Sequence, residues 1–203
     1  MRVICCYTGR IHPRAADALK RFAPDCEYVE TRGLYGYGEA IAERWTGESD
    51  QVIIEGDKVI TEEVLPSFER CNRHWCTYQY DIFPPPCTRT AFNGLGCTKY
   101  SALVQQVITP EESVFAHDVN WEPCRQCDSR GCYRYIDSRI NRALERHGHS
   151  QQPHIHGEIE HVHEYGDSWF KRNEEDWEYY NSKIPEMRID PDEFEPVGNE
   201  LCV

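Results

Sequence analysis

Hydrophobic and polar positions follow two periods along this chain, and the first half switches between them at short intervals. Residues 3–7 are an unbroken apolar run ending at Thr8 and Gly9, which predicts a buried strand and a turn. Ala15, Ala16, Leu19 and Phe22 recur at helical spacing up to Pro24, so a helix follows. Residues 26–29 predict a second strand, residues 32–38 a loop rich in Gly and Tyr, and residues 39–45 a second helix. Residues 51–54 (Gln, Val, Ile, Ile) predict a third strand, and their uniform apolar character implies burial on both faces, as in a parallel sheet. Alternation of strand and helix therefore predicts an α/β domain with a mostly parallel sheet.

The middle of the chain is less regular. Residues 62–70 predict a helix and residues 75–83 a strand broken by Pro84, Pro85 and Pro86. A strand-like stretch at 90–92 runs into Gly94, Leu95, Gly96 and Cys97, after which residues 99–107 have helical spacing. Ile136, Ile140 and Leu144 define the apolar stripe of a late helix over 135–146, and residues 155–163 alternate as a strand does. From about residue 166 the sequence turns acidic and aromatic, then acidic and proline-containing, and the last ~20 residues are expected to be poorly ordered. The expected organisation is one domain over 1–165 and an irregular acidic extension over 166–203.

Composition narrows the class. With 203 residues, 39% of them hydrophobic and 12% aromatic, the chain can build a core, and a mean hydropathy of −0.72 argues against a membrane-embedded class. A net charge of −13 disfavours non-specific binding to nucleic-acid backbones. No run approaches the ~18 apolar residues of a membrane span, and residues 1–7 lack the features of a secretory signal, so a cytoplasmic location is expected. Eleven cysteines, with Cys5 and Cys6 adjacent in a predicted buried strand, are then expected to be reduced core thiols or metal ligands.

Three groups of residues can carry chemistry. First, the apolar strand ends in Glu55, Gly56 and Asp57, and in open α/β sheets ligands bind beyond the carboxyl ends of strands. Residues at i and i+2 point to one side of an extended backbone, and carboxylate oxygens suit Mg²⁺ or Mn²⁺, which share their coordination with substrate phosphates. Second, residues 153–163 hold four of the nine histidines, His154, His156, His161 and His163, and one of these could complete a metal site with the carboxylates. Third, Cys124, Cys127 and Cys132 have spacing that could clasp a structural Zn²⁺, with His74, Cys71 or Cys76 as the fourth ligand. Asp137, near the margin of the late helix's apolar stripe, is a candidate general base if it lines a cleft.

The order of these parts resembles a small glycosyltransferase of the GT-A, Rossmann-like fold. The likeness is to the short glycosyltransferase-like proteins of actinobacteria and their bacteriophages, and it covers residues 1–165. It rests on Tyr7 and Thr8 closing the first strand, on Glu55, Gly56 and Asp57 standing where that family has Asp-x-Asp, and on Gly94, Leu95, Gly96 and Cys97 opening a helix. An acid on a late helix and a His-rich strand near the end complete it. The first position of the acidic motif is Glu in place of Asp.

The resemblance implies transfer of a sugar from a nucleotide-sugar donor to an acceptor hydroxyl, with Mn²⁺ or Mg²⁺. It places Tyr7, Thr8 and Gly9 against the nucleobase and ribose, Asp57 on the metal, and Glu55 on ribose or metal. His156, or else His161 or His163, would be the further metal ligand, and Asp137 the base of an inverting transfer. The acceptor could be a protein, a glycan or a hydroxymethylated DNA base. DNA would need a local basic groove, for which Arg125, Arg130, Arg134, Arg139, Arg142 and Arg146 are the candidates, interrupted by Asp128, Asp137 and Glu145. Two other readings stay open: a zinc-stabilised protein-binding module, and a metal-dependent phosphohydrolase or nucleotidyltransferase.

Overall fold

The computed structural model describes residues 1–31, 36–81, 91–92, 94–114, 136–149 and 153–162. Strand β1 (Arg2–Tyr7) pairs in parallel with β2 (Glu27–Glu30) on one side and β3 (Gln51–Glu55) on the other. Beyond β3 come β7 (Cys97–Tyr100), β5 (Trp75–Asp81) and β6 (Ala91–Phe92), with β8 (His154–Glu158) also paired to β5. Five of the seven strands, β2, β1, β3, β5 and β8, point the same way, and β7 and β6 run against them. A separate ribbon joins β4 (Lys58–Val59) to β9 (Glu160–His161).

Helices cover both faces of the sheet because its central strands are apolar on both faces. Ile4, Cys6 and Ile53 face one core with Ala40 and Ile41 of α2 (Gly36–Ala42), Val104 of α4 (Ala102–Val107), and Ile136, Ile140, Ala143 and Leu144 of α5 (Ile136–Arg146). Cys5, Val52 and Ile54 face the other, with Ala18 and Leu19 of α1 (Pro13–Phe22) and Val64 and Phe68 of α3 (Val64–Arg70). Ile4, Ile53 and Ile54 are fully buried, each contributing about 1.5–3 kcal/mol relative to an exposed side chain. Helix α1 opens with Pro13, capped by His12 Nδ1 accepting from the Arg14 N–H at 3.3 Å, and the chain turns out at Ala23 before Pro24. Among the described residues no helix is long and apolar enough to cross a membrane.

Two expectations are corrected. Residues 97–100 are a strand, so Gly94 to Cys97 lead into β7 where a helix was expected, and the helix starts only at Ala102, capped by the Ser101 hydroxyl accepting from the Val104 N–H. Polar side chains in β7 hide its burial: Lys99 is 1% exposed because its ammonium donates to the carbonyls of Phe68 and Cys71. Thr98 likewise donates to the Gly94 carbonyl and meets the Thr77 hydroxyl at 2.9 Å. The described part of 155–163 is not one strand either. The β5–β8 register shifts between Thr77 and Gln79, the chain leaves the ladder at Ile159, and His161 pairs with β4 instead.

Candidate functional site

The turn after β3 is set by its neighbours on both sides. The Glu55 N–H bonds to the Gly96 carbonyl at 2.9 Å, the Gly56 N–H to the Cys6 carbonyl at 3.1 Å, and the His12 N–H to the Gly56 carbonyl at 2.9 Å. A Cβ on residue 56 would lie 2.8 Å from Tyr7 Cβ, so glycine lets the acidic turn lie directly against the end of β1. Thr8 Oγ1 meets Thr31 Oγ1 at 2.9 Å, and the Thr31 N–H holds the Tyr7 carbonyl at 2.7 Å. Gly9 continues with φ +72°, turning the chain beside the site. Tyr7, Thr8, Gly9, Glu55, Gly56 and Asp57 are thus brought together at the carboxyl ends of β1 and β3.

Asp57 and Glu55 flank one buried cation. Lys58, 1% exposed, places Nζ 2.5 Å from Asp57 Oδ1 and 3.1 Å from Glu55 Oε2, over the Tyr80 ring at 4.3 Å. Burial alone would lower the Lys58 pKa, but the Glu55 and Asp57 charges outweigh it and hold the ammonium above its ordinary value. Burial likewise pushes the Asp57 carboxyl up, yet the Lys58 charge and the hydrogen bond and charge of His161 hold it well below the usual carboxylate range. Tyr37 donates its hydroxyl to Glu55 Oε1 at 3.0 Å; burial and then the Glu55 charge push this phenol far up, so it stays a donor. Tyr80, raised first by burial and then by Glu55, accepts from the Gly96 N–H at 3.3 Å.

Among the described histidines, His161 reaches this centre. Its buried ring, 3% exposed, donates from Nε2 to Asp57 Oδ2 at 2.9 Å and meets Tyr80 edge-on at 5.5 Å. The Lys58–His161 register of the β4–β9 ribbon and the Val162 N–H on the Asp57 carbonyl set that approach. His156 is elsewhere, between Phe68 and Tyr78 on β8, because the chain breaks at Ile159 before reaching Asp57. His163 lies outside the described residues, as do Cys124, Cys127 and Cys132, Arg125, Arg130 and Arg134, and the 166–203 extension. His74, offered as a partner for that thiol group, pairs with Ser101 Oγ at 3.1 Å and stacks edge-on against His149. Asp137 is half-buried on α5, and beyond burial its charge adds to the rise of the Tyr80 and Tyr100 phenols.

The donor set suits a hard or borderline divalent cation. Cis ligands of an octahedral ion bound at about 2.1 Å are about 3 Å apart, and Asp57 Oδ2 and His161 Nε2 are separated by 2.9 Å. A metal would replace the shared proton between them. Glu55 Oε1 accepts from the Tyr37 hydroxyl and Oε2 faces the Lys58 ammonium, as the two Asp57 oxygens face Lys58 and His161. Among the described residues this cluster sets two carboxylates, Glu55 and Asp57, against one ammonium, Lys58. Sequence reasoning missed Tyr37, Lys58 and Tyr80. Lys58 had a signal, since a cation immediately after Asp57 and before the apolar Val59 and Ile60 is placed for burial.

No family model and no curated protein sequence matches the chain. Among solved structures it is similar to a protein described as a glucose-1-phosphate thymidylyltransferase from Bacillus anthracis, at 12% identity and TM-score 0.45 over 94% of this chain and 97% of that one. It is also similar to a 4-diphosphocytidyl-2C-methyl-D-erythritol synthase from Anaerococcus prevotii, at 9% identity and TM-score 0.42 over 91% and 96%. A glycosyltransferase involved in glycosylation of the major capsid of PBCV-1 matches at 11% identity and TM-score 0.38 over 77% and 83%. At these values the likenesses carry no functional weight, and the functional reading rests on the site itself.

Proposed function

We propose that this chain is a metal-dependent transferase that uses a nucleotide-sugar and passes the sugar to an acceptor hydroxyl. The observation that carries the reading is the Asp57–His161 pair, 2.9 Å apart across 104 residues of sequence, at the carboxyl ends of parallel strands and beside the end of β1. Asp57 and His161 would hold Mn²⁺ or Mg²⁺, which when bound neutralises charge on a departing nucleoside diphosphate. Tyr7, Thr8 and Gly9 form the wall against which a base and ribose would lie. Lys58, fixed as an ammonium, adds a permanent positive charge behind the carboxylates. Asp137 of α5 is the candidate base for the acceptor hydroxyl.

The test is thermal unfolding against nucleoside diphosphates and nucleotide-sugars with Mn²⁺, Mg²⁺ or EDTA. A ligand at 100 times its Kd stabilises the fold by about 2.7 kcal/mol, or about 5–10 °C for a chain of this size. The expected result is such a shift for one nucleotide, present with Mn²⁺, absent with EDTA and absent in Asp57→Asn and His161→Ala. Transfer to a hydroxyl acceptor, as distinct from release of free sugar or nucleotide, then separates a glycosyltransferase from a hydrolase or nucleotidyltransferase. Equal shifts with EDTA, or in Asp57→Asn, refute the metal-centred reading.

A further inference from the structure

A second group of ligands lies away from the carboxylate centre, on the face of the sheet covered by α3. Cys71 terminates α3 and Cys76 stands on β5, where it pairs in register with His154 of β8. His154 and His156 share one side of β8, their ring centroids 4.6 Å apart. The ligand atoms of Cys71, Cys76 and His156 all lie within 4.8 Å of one another, and His154 Nδ1 is 3.2 Å from Cys71 Sγ. His156 Nε2 is buried without a hydrogen-bond partner, an orphan lone pair or N–H in the interior. Three elements, the end of α3, β5 and β8, thus bring two thiols and two imidazoles together.

We infer that Cys71, Cys76, His154 and His156 form a tetrahedral zinc site that ties the end of α3 to β5 and β8. Softness selects the ion: two thiolates and two imidazoles suit Zn²⁺ and not the Mn²⁺ or Mg²⁺ proposed for Asp57. Geometry agrees, because Zn–S bonds of about 2.3 Å put tetrahedral sulfurs about 3.8 Å apart and a sulfur–nitrogen edge about 3.6 Å. Cys71, Cys76 and His156 lie within 4.8 Å of one another, and His154 joins them through Cys71 at 3.2 Å, separations of the order a tetrahedral ion requires. Burial pushes the Cys76 thiol up, with the Lys99 charge opposing it, so the metal itself must supply the energy that forms the thiolate. Two thiolates exactly cancel a Zn²⁺ ion, so closing the site buries no net charge.

On binding, each Cys S–H gives its proton to solvent and each sulfur gains a bond to zinc, with no change of oxidation state. Phe68 and Tyr78 hold the His156 ring at 5.4 and 5.6 Å, orienting it before the ion arrives. The zinc is structural, since all four positions are protein ligands.

The experiment uses the full chain purified without chelator. Metal analysis is expected to give one zinc per chain, and replacement by Co²⁺ the strong visible bands of a tetrahedral thiolate complex. Cys71→Ser and His156→Ala are each expected to lose the zinc and the cobalt bands, while Asp57→Asn keeps both, so failure of the nucleotide reading leaves this test intact. The cobalt spectrum of the unaltered chain needs no variant and stands even if a variant fails to fold. Absence of zinc, weak octahedral cobalt bands, or a Cys71–Cys76 disulfide in chain isolated under reducing conditions overturns the assignment. Zinc lost from Cys124→Ser and retained in Cys71→Ser overturns it too.

Discussion

Replacing Lys58 with Met keeps the aliphatic stem and removes the ammonium that lies between Glu55 and Asp57. Nζ lies 2.5 Å from one carboxylate oxygen and 3.1 Å from the other, so those oxygens are at most about 5.6 Å apart. Two unit charges at that distance repel by about 3 kcal/mol at an effective dielectric of 20 and by about 0.7 kcal/mol at that of bulk water. The carboxylate side chains are 30% and 42% exposed, which sets the value between those limits, and the cation–π contact with Tyr80 is lost in addition. The expected loss at pH 7 is about 1–3 kcal/mol, or about 2–12 °C in Tm. Removing one partner differs from replacing a whole ion pair with apolar groups, which is often neutral.

The sign of the pH dependence separates charge from packing. In the unaltered chain the Asp57 pKa is depressed on folding, so its contribution is complete above the unfolded value of about 3.9 and is lost as pH falls through the folded one. The Lys58 pKa is raised on folding, so its contribution is complete below the unfolded value of about 10.4 and is lost as pH rises through the folded one. Between those limits this cluster is neutral to pH through both groups. Without Lys58 the charge that holds the Asp57 carboxyl down is gone and Glu55 repels it, so its folded pKa rises and the variant loses less stability than the parent as pH falls. Urea unfolding followed by Trp fluorescence at pH 7 and pH 4.5, at equal ionic strength, is expected to show the gap between variant and parent narrowing. A gap that stays constant would refute the charge argument and leave only lost packing.

Gly96→Ala tests the close packing around the same lysine. Its Cβ would fall 2.4 Å from Tyr80 Cε1 and 2.7 Å from Lys58 Cε, so ring and stem must move; a destabilisation of about 1–3 kcal/mol in urea is expected, with weaker Mn²⁺-dependent nucleotide binding. Trp45→Phe removes the indole N–H that donates to the Ile108 carbonyl at 2.7 Å in the other core, and orphaning that carbonyl is expected to cost about 1–3 kcal/mol with nucleotide binding unchanged.

The elements legible in the sequence are those whose pattern and environment agree. Strands β1 and β3 show unbroken apolar runs because helices cover both faces, and the Ile136, Ile140 and Leu144 stripe of α5 lies in the core. Strand β7 was illegible because Thr98 and Lys99 are polar residues whose polar atoms are satisfied inside the fold, which periodicity cannot register. The acidic turn could be located from strand-end logic, since Glu55 and Asp57 directly follow the apolar run. Its partner could not: whether His156 or His161 meets Asp57 depends on where one strand ends and the next ribbon begins, and the register shift opposite Thr77 and Gln79 decides it. For the same reason Cys71 and Cys76 were read with the downstream cysteines, while the fold sets Cys76 against His154.

That short segment from β8 to β9 links the two centres. His154 and His156 lie on β8, Ile159 bonds through its N–H to the Gln79 carbonyl, and His161 follows on β9 against Asp57. If zinc pins β8 to β5 and to the end of α3, it also limits how far His161 can stray from Asp57, because only Ile159 and Glu160 separate the strand from that ligand. Local opening of β9 is then the competing state, and zinc disfavours it. The consequence is a coupling between two ions that never share a ligand. Chain stripped of zinc and resupplied with Mn²⁺ is expected to bind the nucleotide about 5–150-fold more weakly than zinc-loaded chain, the span of a 1–3 kcal/mol coupling. Linkage requires the converse, so Mn²⁺ and nucleotide together must tighten zinc binding by the same factor. Titrating each in the presence and absence of the other, by calorimetry, measures both directions. Equal affinities in all arms would mean that the β4–β9 ribbon alone holds His161 in place, and that the zinc stabilises β8 without reaching the carboxylate centre.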